Sequence, residues 1–158
     1  MLNQKFRPAF GYIIAQNTVE PFSSYTTVID STSSSVLFYT KGYLEFFKGE
    51  SLKYTTFAGM MEVASNHPED SYITVAGPDG CSFFCLDPKA NKGFVPDVEF
   101  KKINANTSVE ALENMKIYLC QGQIKIDEDI IDEPKQIYVR SDKKVINTLT
   151  DCYIILFP

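Results

Sequence analysis

Tryptophan is absent from this sequence, and histidine occurs once, at position 67. The shortage of imidazole excludes more. Zinc and iron centres usually draw on several imidazoles or thiolates, so one His67 leaves no ordinary metalloenzyme ligand set, and no cofactor is expected. His67 stands in a polar turn before Pro68, Glu69 and Asp70, where turn chemistry accounts for it; as a general acid or base it would have to borrow a neighbouring carboxylate. Three glycine-based signatures are also missing: the G-x-S-x-G nucleophile elbow, the phosphate-cradling loop and the dinucleotide fingerprint. Positive charge is scarce. Lys101-Lys102 and Lys143-Lys144 are the longest basic clusters, each offset by nearby acids, in a chain of net charge −5 and pI near 4.9. Phosphate backbones need a basic stripe, so nucleic acid and anionic membranes are not expected as partners. No run approaches the ~20 apolar residues of a membrane-spanning helix. Residues 1–10 carry Lys5 and Arg7 with no apolar core after them, which does not fit a secretory signal, and a cytoplasmic location is expected.

The four cysteines, Cys81, Cys85, Cys120 and Cys152, lie within apolar stretches and do not flank turns as in small secreted scaffolds. Cys81 and Cys85 have a spacing that suggests half a metal site. On a strand, four residues span roughly 13 Å, too far to share one zinc. Buried, reduced thiols acting as small hydrophobes are expected instead.

What the chain does have is strand-forming sequence. Twelve Phe and nine Tyr stand mostly among Val, Ile and Thr, in 158 residues. Strands are predicted over 11–16, 25–30, 36–40, 43–47, 59–64, 72–75 and 81–86. After a Pro- and Gly-containing stretch, more follow over 98–103, 116–120, 123–126, 136–139, 144–147 and 152–157. The breakers between them include Lys48-Gly49, Asn66-His67-Pro68 and Gly77-Pro78-Asp79-Gly80. Short strands at this spacing argue for a sandwich or barrel. One helical hint interrupts them at 107–114, where Thr107 and Glu110 have capping-box spacing. The acidic run Asp127-Glu128-Asp129 and Asp132-Glu133 lacks the central glycine of a calcium loop and is expected to be a solvated loop. The Ser/Thr run 31–35 is either a hydroxyl-lined surface for sugars or, more simply, a turn.

Self-similarity organises these strands. Ile13-Ile14-Ala15 matches Ile103-Asn104-Ala105, and the same offset pairs Val19-Glu20 with Val109-Glu110. Residues 36–42 match 116–122, each an apolar run ending in glycine, with Gly42 and Gly122 expected to turn tight hairpins. Residues 81–86 match 152–157. The three blocks keep their order, and the expected organisation is a first unit over 1–88, a linker over 89–97 and a shorter second unit over 98–158.

An apolar strand ending in glycine, a second alternating strand, a turn and a last apolar strand together resemble the cupin pattern, over residues 10–86 and 100–157. The resemblance implies an all-β fold of two tandem, diverged cupin-like jelly rolls (a bicupin-like arrangement), the second reduced. Cupins normally carry two histidines and a glutamate ahead of that glycine. The slots counted back from Gly42 hold Val28, Asp30 and Ser35, and those counted back from Gly122 hold Ser108, Glu110 and Met115. The later histidine position falls near Tyr72 or Ile73 and near Val145. The cupin metal site is therefore not expected. Three functions stay open: a non-catalytic module acting by self-association, as a homo-oligomer, or by protein binding; a binder of sugars or similar polar metabolites, or a cofactor-independent enzyme, with Tyr39 and Tyr118 lining the barrel as ligand-binding residues; and a viral or phage structural or accessory protein.

Overall fold

A computed structural model describes residues 2–29, 34–140 and 144–158. Every regular element among them is a strand. The chain divides into two compact units, one running to Val95 and the other from Pro96 onward.

The first unit holds β1 (Leu2–Ala9), β2 (Tyr12–Val19), β3 (Ser24–Thr27), β4 (Ser34–Lys41), β5 (Tyr43–Lys48), β6 (Ser51–Phe57), β7 (Met61–Ser65), β8 (Asp70–Val75) and β9 (Cys81–Leu86). They form a five-stranded sheet in the order β1-β2-β9-β4-β7 and a four-stranded sheet in the order β3-β8-β5-β6. Leu37 and Tyr39 from the first sheet meet Leu44 and Tyr72 from the second in one buried core.

The second unit holds β10 (Glu99–Ile103), β11 (Ser108–Ala111), β12 (Lys116–Gln121), β13 (Ile124–Ile126), β14 (Asp129–Ile131), β15 (Lys135–Tyr138), β16 (Lys144–Thr148) and β17 (Cys152–Phe157). Its sheets run β10-β17-β12-β15 and β11-β16-β13-β14. With β1 set aside, each position in the first unit's order has its counterpart in the second. The architecture is therefore two tandem cupin-like β-rolls, the second with shorter strands.

Register fixes the correspondence residue by residue. β4 pairs with β9 through Tyr39↔Phe83 and then Lys41↔Ser82, skipping Thr40. β12 pairs with β17 through Leu119↔Ile154 and then Gln121↔Tyr153, skipping Cys120. The same one-residue bulge thus precedes Gly42 and Gly122, and a bulge sharpens the bend of a strand. These glycines do not turn hairpins. β4 and β5 belong to different sheets, as do β12 and β13, so each glycine is the corner where the chain crosses from one sheet to the other. Both have positive φ, 82° and 112°. A Cβ at Gly42 would lie 2.7 Å from the Cys81 sulfur, and one at Gly122 would lie 2.6 Å from the Cys152 sulfur. Backbone conformation and space both require glycine there.

Three further differences from expectation have plain causes. Residues 108–111 are strand β11, because pairing with β16 (Ser108↔Asn147 to Ala111↔Lys144) overrides a weak local helix preference. The stretch beginning at Pro88 is folded onto the first unit: the Asn91 side chain accepts from the Ile13 N–H at 2.6 Å and donates to its carbonyl at 3.1 Å, and Phe94 packs on Tyr12. The passage between units accordingly falls at Val95–Pro96. Finally, Val19↔Cys81 in the first unit corresponds to Ile103↔Cys152 in the second. Ile103 therefore shares its place with Val19 and not with Ile13, whereas the other two blocks are in structural register.

Candidate functional site

Inward positions on β4, β9, β5 and β8 decide whether the first roll can hold a ligand. Tyr39 stacks on Phe83 at 5.1 Å between ring centroids, and Phe46 packs against Tyr72 at 5.0 Å. The Tyr39 hydroxyl shares a 2.6 Å hydrogen bond with that of Thr74, which satisfies both buried polar groups. Burial pushes the Tyr39 phenol above its ordinary range, so it remains a neutral hydrogen-bonding group. Four rings fill this interior. A polar niche of about 80 Å³ opens at one end, lined by residues including Gln4, Asn17, Thr27 and Ser35, with room for a few waters and not for a sugar.

The same positions in the second roll carry Leu119, Ile154, Ile126 and Ile146: Leu119↔Ile154 and Ile126↔Ile146 repeat the pairings Tyr39↔Phe83 and Phe46↔Tyr72. Aliphatic side chains have replaced four rings, and a cavity of about 210 Å³ lies between the sheets. Ile103, Met115, Ile117, Ile124 and Ile146 contribute to its wall. Its inner polar groups are occupied. Thr148 stands where Thr74 stands in the first roll, but with Leu119 opposite it has no tyrosine to meet. Its hydroxyl instead donates to the Asn104 carbonyl at 2.6 Å and accepts from the Thr107 N–H at 2.9 Å. The Cys152 thiol donates to the Thr150 carbonyl at 3.2 Å. Lys101 and Glu110, both exposed, stand at the rim. A larger hollow of about 490 Å³ along β1 and β2 is open surface.

Tyr39 and Tyr118 are not equivalent. Tyr118 corresponds to Phe38 and is one residue out of step with Leu119, so it points to the opposite face of its sheet from Ile117 and Leu119, which form the core. It is buried there and does not line the cavity.

The sheet edges form a second candidate site. A free edge presents unpaired backbone groups, and proteins usually blunt it with charge, proline or shortness. β1 carries Lys5, Arg7 and Pro8; β10 carries Glu99, Lys101 and Lys102; β3 and β11 have four residues each; β14 has three and begins at Asp129; β15 starts at Lys135 after Pro134. β6 and β7 are different. They are consecutive edges of the two sheets of the first roll, seven and five residues long. Leu52, Tyr54, Phe57, Met60, Met61 and Val63 are exposed along them, Leu52, Phe57 and Val63 by more than half. Glu62, the one carboxylate on this pair of strands, is turned inward and buried, accepting from Tyr54 at 2.5 Å and Thr56 at 3.1 Å. Burial and this bond to Glu62 push the Tyr54 phenol well above its ordinary range. The bonds tie β7 to β6 across the sandwich, and the exposed apolar side chains flank them, with Lys53 the one exposed charge on the two strands.

The remaining candidates are accounted for. All four cysteines are buried and unpaired in disulfides. His67 is exposed, and Asp127 takes an ion pair from Lys144 at 2.9 Å. Among the described residues, no group of three or more His, Cys, Asp or Glu side chains could hold a metal ion. Of the metal slots, Val28 and Val145 are exposed aliphatics and Ser35 is a buried hydroxyl, so these residues do not fit a cupin metal. Asp30, Lys143 and residues 31–33 of the Ser/Thr run lie outside the described residues. No described helix is long and apolar enough to cross a membrane.

No family model matches the chain, and no curated protein matches it. Solved structures do. YhhW from Escherichia coli is 12% identical, with a TM-score of 0.58, over 99% of this chain and 91% of that one. Its complex with nickel(II), in which it is described as a bacterial pirin, gives 11%, 0.55, 99% and 90%. AerE from Microcystis aeruginosa is 15% identical, with a TM-score of 0.58, over 99% and 92%. HutD from Pseudomonas fluorescens is 8% identical, with a TM-score of 0.56, over 92% and 78%. At these identities the likeness establishes the fold alone, a cupin-like pair of rolls spanning nearly the whole chain.

Proposed function

We propose that this protein is a non-catalytic, cupin-like module that acts by self-association through the β6–β7 side of its first roll. The observation that carries this reading is the contrast among edges: six are charged, proline-flanked or short, whereas β6 and β7 are consecutive and carry six exposed apolar side chains with Lys53 as their one exposed charge. An exposed apolar row next to unpaired backbone is a surface that gains from being covered. A second copy supplies the same row, and a two-fold axis sets like residues against each other in an isologous contact. The row carries little charge, so pairing there does not bring together the net −5 of each chain at short range. The nickel of YhhW has no counterpart in this reading, because the residues in the metal slots do not fit it. The matching strand orders, bulges, corner glycines and Thr74/Thr148 pair support an origin of the two rolls by duplication.

Size-exclusion chromatography with light scattering tests the proposal. The expected result is a particle of at least twice the 17.9 kDa chain mass, falling toward 17.9 kDa on dilution. A mass of 17.9 kDa at every concentration up to the millimolar range would falsify it.

A further inference from the structure

We infer that the second roll is a binding site for one small, uncharged, apolar ring, taken up in the largely aliphatic cavity between its sheets. The two interiors share a frame and differ in content. Phe83 and Tyr72 of the first roll become Ile154 and Ile146 at paired register positions, Thr27 of its polar niche becomes Val109, and all three replacements line the cavity of about 210 Å³. An apolar cavity of about 150 Å³ is already large enough to take benzene in place of water. The lining determines the chemistry. Ile103, Ile117, Ile124, Ile146 and Met115 offer dispersion contacts, and a thioether favours aromatic edges. Thr148 and Cys152 have already committed their hydrogens to backbone carbonyls. A charged or strongly polar guest would find no partner inside and would lose its hydration, which excludes sugars and carboxylates from this space. Lys101 and Glu110 stand at the rim, where water still reaches them.

The site is independent of the β6–β7 edge, which belongs to the other roll. Toluene is a suitable probe, read through the methyl resonances of the full chain. The expected result is saturable shifts at Met115, Ile117, Ile124, Ile146 and Ile154, with Ile14, Ile29 and Ile73 of the first roll unmoved. Val109→Phe places a ring at the cavity wall and should weaken toluene binding at least tenfold. The milder Val109→Leu should weaken it by a smaller factor and serves if the phenylalanine variant does not fold. Glucose at the same concentrations should shift none of these methyls. Absence of saturable shifts with toluene, shifts spread equally over both rolls, or undiminished binding by a folded Val109 variant would each overturn the proposal.

Discussion

The two rolls are laid out alike, and they spend their aromatic residues differently. In the first, rings fill the interior, and more rings and methionines stand outside along β6 and β7. In the second, the interior is aliphatic with a cavity, and the corresponding outer strands β14 and β15 are short and set among Asp127, Glu128, Asp129, Asp132, Glu133 and Lys135. Strand order and the corner glycines are thus separable from what fills and what coats a roll. The frame is held by backbone pairing and a few positions where only one residue fits. The side chains between those positions are free to set whether a roll is solid or hollow and whether its edge is guarded or sticky.

That separation can be broken first at the solid interior. Tyr39→Ala removes a stacked ring and leaves Thr74 without its partner, and it should cost about 3–5 kcal/mol in urea unfolding. The equivalent Leu119→Ala should lie nearer ~2 kcal/mol, since a smaller side chain is removed and no buried hydrogen bond is lost with it. Equal losses would mean that the two interiors are packed alike. The shared frame is tested by Gly42→Ala and Gly122→Ala, each expected to destabilise by about 2–3 kcal/mol through positive φ and the clash with a cysteine sulfur. A large cost at one glycine and none at the other would deny the correspondence. Exchanging contents is the subtler test: Ile154→Phe should be neutral or stabilising by up to ~1 kcal/mol as it fills the cavity, whereas Phe83→Ile should cost about 1–3 kcal/mol.

The smallest effect is alkaline. Burial pushes the Cys81 and Cys85 thiols up to about 12, against an ordinary value of 9.0. Because the folded pKa is the higher one, their contribution is intact below pH 9 and is lost as pH rises toward 12, where the unfolded chain ionises first. Cys152 is also raised by burial, opposed by its hydrogen bonds to Thr150 and Gln123. Cys81→Ala should therefore flatten the alkaline fall in stability more than Cys152→Ala, as read from melting temperatures between pH 8 and 11.

The all-β class, most of the inner strands and two of the three repeated blocks were legible in the sequence, because an inner strand packed on both faces shows as a run such as Val36-Leu37-Phe38-Tyr39 or Ile154-Ile155-Leu156-Phe157. The strands that escaped were β1, β6, β11 and β14, all at edges. An edge strand is wet along much of its surface, and β1 (LNQKFRPA) shows neither a continuous apolar run nor a proline-free stretch. The cavity was not legible either. Its wall gathers residues from strands distant in sequence, such as Ile103, Val109, Ile117, Ile124, Ile146 and Ile154, which meet only through strand pairing, and each taken alone is an ordinary apolar residue. The misplacement of Tyr118 has the simplest cause: the match of 36–42 with 116–122 already sets Tyr39 against Leu119, and on a strand one residue of offset changes the face. The exposed row on β6 and β7 could have been noticed as the part of the first unit where Phe57, Met60, Met61 and Val63 fall close together with little charge between them.

Sedimentation equilibrium on three chains addresses the central claim most directly: the unaltered protein, a Phe57→Lys/Val63→Lys variant of the apolar edge, and an Ile130→Lys variant of the guarded one. Exposed substitutions of this kind should each change stability by no more than about 0.5 kcal/mol, so folding is not at issue. The account predicts concentration-dependent association for the unaltered chain and for Ile130→Lys, and a monomer for the double variant. A monomer in all three cases, or association that survives the two lysines on β6 and β7, would contradict it.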